Sequence, residues 1–242
     1  MTTQSFEEIR RKAALARKTA KSTREEWKES EPSAARDKVF KQAVEELDAL
    51  IQALESWRKS AFDREAIREI GDCLGAKGGT LRDWGKYDEA VKAYDDGWPI
   101  EQEVEEKGGS PNSYCLVQRL VMRVLWEPDA YKREEKILEV DVHEALKSSV
   151  NVVQKQMDGL RKGDPWAQAD IALQLQLLGG QAYELFGDNA ALTAWDELDD
   201  MRPDRFVYKS TCEVVTLLQK RLAPLLSDED KESWADVASR LG

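Results

Sequence analysis

The chain has 242 residues, 41% of them hydrophobic and 34% charged, with a formal net charge of -11. That balance predicts a helical protein with enough apolar surface for a core, and its acidity argues against nucleic acid as the general partner. No apolar run reaches the roughly 18–20 residues of a membrane span, no leader-like start is present, and Cys73, Cys115 and Cys212, odd in number and far apart, predict buried thiols in a reducing, cytoplasmic setting.

The charge is uneven: residues 1–60 carry a net of +2 and the remainder -13. Residues 5–29 read as a polar, Ala-rich helix whose weak apolar side is Phe6, Ile9, Ala13, Leu15 and Ala16. Its Arg10, Arg11, Lys12, Arg17, Lys18 and Lys21 make the most basic stretch of the chain. Glu31-Pro32-Ser33 ends that helix, with Ser33 as the expected cap of the next. Residues 34–60 give a stronger amphipathic helix, with Phe40, Ala43, Leu47, Leu50, Leu54 and Trp57 at spacings of three and four. Together, residues 1–62 are expected to form an N-terminal hairpin or cap, and 63–242 a helical repeat domain.

Residues 63–83 and 86–106 form the next pair of helices, and Lys107–Asn112 the clearest loop. Residues 113–126 are apolar on most sides and should lie deep in a core. A long helix is expected over 131–161, with a break near Val140–Val142. Gly163-Asp164-Pro165 supplies a stop, a cap and a Pro at the first helical position. Helices follow at about 165–186, 189–201, 204–222 and 228–240, the last capped by Asp228. The expectation is an all-α chain of about ten helices, or roughly five hairpins, stacked as an α-solenoid.

Chemistry is hard to find. His143 is the sole histidine, and its neighbours Asp141 and Glu144 point to other helix faces. One His and three scattered Cys do not make a zinc site. Gly75-Ala76-Lys77-Gly78-Gly79 has no preceding strand, so helix packing explains it better than phosphate binding. The acids Glu101, Glu103, Glu105, Glu106, Glu197, Asp199 and Asp200 sit in polar runs that read as solvated faces. No catalytic residue, cofactor or metal is expected.

The segment from Leu74 to Tyr94 resembles a tetratricopeptide (TPR) repeat. With Ala90 at the twentieth position of the family's 34-residue pattern, Leu74, Gly78, Leu81 and Tyr94 fall at the fourth, eighth, eleventh and twenty-fourth. A second copy places Leu175, Leu178, Gly179, Ala182, Ala191, Trp195, Leu198 and Pro203 at family positions, with Gly187-Asp188 one residue late. Gly97 stands where the family favours Ala, and the Lys/Asn/Asn clamp for a peptide carboxylate is absent. The Gly-rich first helix, with the helix starts Asn112-Ser113-Tyr114 and Asp164-Pro165-Trp166-Ala167, is similar to TPR regions of bacterial signalling and defence proteins.

The resemblance implies a non-enzymatic scaffold or adaptor that binds a partner protein or peptide in a concave groove. Carried over, the groove residues are Asp72, Gly75, Gly79 and Arg82 in the first copy, and Leu173, Gln176, Gly180 and Tyr183 in the second. Arg119 and Arg123, one turn apart on an apolar helix, read either as a solvated stripe or as partner contacts. Self-association through end hairpins, a nucleic-acid-binding repeat using the basic arm at 10–28, and a helical enzyme with a carboxylate site are the other readings.

Overall fold

The structure is a computed structural model that describes residues 5–27, 29–58 and 60–242. Lys28 and Lys59, at the ends of the first two expected helices, lie outside the described residues. The described residues form twelve helices and no strand, apart from one isolated bridge between Ile137 and Val140. The chain divides into two compact units, 1–122 and 123–242, so the 1–62 hairpin lies inside the first.

In the first unit, α1 (Phe6–Trp27), α2 (Ala34–Glu55), α3 (Asp63–Trp84) and α4 (Tyr87–Glu106) pack successively, and α1 also packs on α3. Ser33 caps α2 as expected, its hydroxyl accepting from Arg36 N at 3.2 Å. Ala13, Ala16 and Ala20 are buried on α1 and let its backbone come close to the core of α2 and α3. Leu15, expected on that side, is 61% exposed, because the buried stripe follows Phe6, Ile9, Ala13, Ala16 and Ala20 around the helix.

The α3–α4 hairpin follows the expected boundaries closely. Gly85 ends α3 in the left-handed region (φ 87°), and Lys86 N donates to Leu81 O at 2.8 Å, so the last carbonyls of α3 are satisfied. Where the helices cross, a Cβ on Gly78 would stand 2.5 Å from the Tyr94 ring. The packing role expected for that glycine is therefore observed. α4 continues through Pro99, and a Cβ on Gly97 would stand 2.5 Å from Cys115 Sγ, so Gly suits this departure from the repeat pattern.

α5 (Tyr114–Trp126) is buried along almost its whole length, and the division between the units falls within it. The expected helix over 131–161 is interrupted more widely than its apolar spacing suggested. Pro128 starts the short α6 (Pro128–Lys132), the Ile137–Val140 bridge follows, and Asp141 caps α7 (Val142–Met157).

In the second unit, α8 (Pro165–Leu178) is buried from Ala167 to Leu178 except at Asp170, and packs against α7 and α10 (Ala190–Asp200). Two of its buried amides donate to backbone carbonyls: Gln168 to Ala194 O at 3.0 Å, and Gln174 to Asp170 O at 2.8 Å. The helix expected over 165–186 is broken at Gly179, whose φ of 53° and ψ of -126° are not helical, and α9 (Gly180–Phe186) follows. α11 (Arg205–Leu222), capped by Asp204, pairs with α12 (Asp228–Leu241). Ser227, not Asp228, caps α12: its hydroxyl accepts from Asp230 N at 3.1 Å.

Candidate interaction surface

The glycine-rich face of α3 is where the resemblance puts the first set of groove residues, and α1 lies against it. Arg10, Arg17 and Arg24 recur two turns apart on α1 and all turn towards acids on α3. Arg10 Nε donates to Glu69 at 3.3 Å and Arg17 to the other Glu69 oxygen at 2.5 Å, with Asp72 at 3.8 Å from Arg17. Arg24 Nε donates to Asp83 at 2.6 Å. The basic arm is thus divided. Its inner row pairs with acids within the chain, while Arg11, Lys12, Lys18 and Lys21 remain exposed, Lys12 beside Glu8 and Lys21 beside Glu25.

Each first-copy residue has a defined place. Asp72 is exposed and faces Arg17. A Cβ on Gly75 would meet the Tyr114 ring at 3.3 Å, and one on Gly79 would meet Arg24 Nη1 at 2.8 Å. Arg82 is buried and donates from Nε to Asp83 at 2.7 Å. The glycines therefore do admit close approach, but what approaches them is Tyr114 and Arg24 of the same chain. Burial alone pushes the Asp83 carboxyl up, and the Arg82 and Arg24 guanidiniums beside it more than offset that, holding it below the usual carboxylate range.

The second set is split by the break at Gly179. Leu173 is buried, and Gln176 lies between Trp195, which donates to it at 3.4 Å, and Ser233, to which it donates at 3.0 Å. Gly180 and Tyr183 are exposed, Tyr183 at 60%. Around Tyr183, the short α9 and the start of α10 also expose Leu185 and Leu192. Sequence reading missed these two; their signal is an apolar side chain on each flank of the Gly187-Asp188 turn. Arg119 and Arg123 do not form a solvated stripe. Arg119 is half-buried, 3.8 Å from Asp95, whereas Arg123 is buried and donates to Ile137 O at 3.3 Å.

The acids and the histidine have structural surroundings. Glu101, expected on a solvated face, is buried; it accepts from Cys115 N at 3.1 Å and from Asn112 at 2.9 Å, and so caps the start of α5. Glu103 pairs with Arg58 and Lys107. His143 stacks on Tyr131, with ring centroids 4.6 Å apart, and burial lowers its pKa. Burial also pushes the Cys73 thiol up to about 11 against the pull of Arg17, so it is a poor nucleophile. Among the described residues, no group of three or more His, Cys, Asp or Glu is placed to hold a metal, and no helix is long and apolar enough to cross a membrane.

No protein-family model matches the chain. No curated protein matches it in sequence either.

Proposed function

We propose that this chain is a non-enzymatic scaffold of TPR-like helical hairpins that binds a partner protein or peptide, with α9 and the start of α10 as the main contact. The observation that carries this reading is the exposure of Tyr183, Leu185 and Leu192 there, at 60%, 53% and 42%. Three large apolar side chains exposed within one short stretch of chain depart from the singly scattered exposure that is ordinary on a surface, and an aromatic side chain such as Tyr adds a large apolar contact area with a polar tip. The α3–α4 hairpin, with Gly78 against Tyr94 and Gly85 in its turn, supports the likeness to the repeat family. Within this reading, Gly180 and Tyr183 are the groove residues left open to a partner, and Asp72, also exposed, faces Arg17. Gly75, Gly79, Arg82, Leu173 and Gln176 act through the packing that holds the hairpins. A cytoplasmic adaptor in bacterial signalling or defence is the setting that the family likeness suggests.

The test is affinity capture from the native cell with the wild type and with a Tyr183→Asp/Leu185→Asp variant of unchanged circular dichroism. A partner held by the wild type and lost by the variant supports the reading. Equal capture by both refutes the assignment to α9. Self-association is a second reading, favoured by the same apolar surface. It predicts a concentration-dependent mass in light scattering that the variant abolishes.

A further inference from the structure

We propose that Arg24, Arg82, Tyr94 and Tyr114 form a binding site for a phosphoryl group in the first unit. The site is built on one face of α3. Tyr114 lies over Gly75 and Arg24 over Gly79, one turn further along, while Arg82 follows within the next turn. Arg82 and Tyr94 are buried and form the floor, and the half-buried Arg24 and Tyr114 form the rim. The two phenol oxygens are 3.3 Å apart. One hydroxyl donates to the other, which leaves one phenolic hydrogen for a ligand.

Donors outnumber acceptors here. A guanidinium is a fork of N–H donors with no acceptor. Both Arg24 and Arg82 spend Nε on the two oxygens of Asp83, at 2.6 and 2.7 Å, and among the described residues their terminal nitrogens have no hydrogen-bond partner. One buried and one half-buried cation thus share one carboxylate and keep both forks uncommitted. Arg36 adds a third guanidinium nearby, but it is fully engaged by the carbonyls of Trp27, Asp83 and Trp84. Uncommitted guanidinium forks with surplus positive charge form strong, charge-assisted hydrogen bonds to an anion.

The ligand's chemistry follows from that surplus. A phosphoryl group brings several terminal oxygens and close to two negative charges, which suits two forks approaching from different helices. A carboxylate would match the single positive charge that Asp83 leaves on the pair, but it has only two oxygens for the two forks and the phenol, and it leaves the charge of Arg36, held only by carbonyls, unmet. The small residues are part of the site: a side chain at Gly79 would push Arg24 out of place. This inference stands apart from the scaffold reading, because it concerns α1, α3, α4 and α5 and holds or fails whether or not a protein partner is found.

The experiment titrates inorganic phosphate, and separately O-phospho-L-serine, into the purified full chain at matched ionic strength with chloride. Side-chain Nε resonances of arginine report the binding. The Nε signals of Arg24 and Arg82 should move and saturate with at least one of the two probes, and Arg24→Gln should weaken that binding about tenfold or more. Preference between the probes distinguishes a site for the free ion from one for a phosphomonoester. Neither probe moving those two signals beyond the chloride control overturns the proposal, and so does equal affinity in a folded Arg24→Gln variant. If that variant fails to fold, the wild-type Nε signals alone decide the matter.

Discussion

Replacing Gly78 by Ala tests the closest approach in the α3–α4 hairpin. The added Cβ would stand 2.5, 2.6 and 2.7 Å from three Tyr94 ring carbons, and that ring is fully buried and packed edge-on against Tyr114 at 5.7 Å. The ring cannot swing away without disturbing the second aromatic, so one of the helices must shift. Such overpacking costs about 1–3 kcal/mol. Gly→Ala within a helix returns about 1 kcal/mol, which leaves a net loss of up to about 2 kcal/mol. Gly71 is the internal control: it lies on the same helix, and its added Cβ would meet only Ile100 at 3.4 Å, an ordinary contact. Gly71→Ala should therefore gain about 0.5–1 kcal/mol. In urea unfolding followed by circular dichroism, the midpoint should fall by up to about 1 M for Gly78→Ala and rise for Gly71→Ala. If Gly78→Ala raised the midpoint as much as Gly71→Ala, the close crossing of α3 and α4 would be wrong.

Four further outcomes follow from other sites. Asp83→Asn leaves the Arg24 and Arg82 guanidiniums without their carboxylate and should destabilise the first unit by about 3 kcal/mol, read from the same urea midpoint. Because the Asp83 carboxyl is held below its unfolded value of 3.8, its contribution is complete above pH 4 and is lost as pH falls through the lower folded value; a urea midpoint that did not fall below pH 4 would contradict this. Arg36→Ala removes the donor that caps the last carbonyls of α1 and α3 and should cost about 2–4 kcal/mol, measured by thermal unfolding. Gly179→Ala meets no atom within 4 Å, yet it forces a side chain into a backbone conformation near φ 53°, ψ -126°; a loss of about 1–3 kcal/mol is expected from strain alone, and no loss would mean that the break between α8 and α9 is misplaced.

The helices were legible wherever an apolar stripe met a strong local signal. Ser33 and Asp164 cap helices in the structure as expected, and Gly85 ends α3 as its position in the hairpin suggested. The helix expected over 131–161, with too narrow a break near Val140–Val142, and the continuous one over 165–186 missed for the same physical reason. Apolar spacing carries across a short break, and only the backbone shows that Gly179 turns out of the helix or that Ile137 and Val140 pair. The candidate site was less legible, because Gly75, Gly79 and Arg82 mark a face without saying what covers it. Arg24 lies about sixty positions away in sequence, and its match to Asp83 emerges only when α1 docks on α3. The seven-residue recurrence of Arg10, Arg17 and Arg24 was the available signal, but in the sequence it merged with the exposed Arg11, Lys12, Lys18 and Lys21. Glu101 misled in the opposite way, since a cap for a later helix looks like any other acid in a polar run.

The central claim, that partner binding runs through α9 and the start of α10, is tested most directly by hydrogen–deuterium exchange on the purified complex with the captured partner. Residues 180–192 should slow in exchange on binding, while 72–82 stay unchanged beneath α1. Protection of 72–82 with no change at 180–192 would contradict the account and return the contact surface to the α3 face.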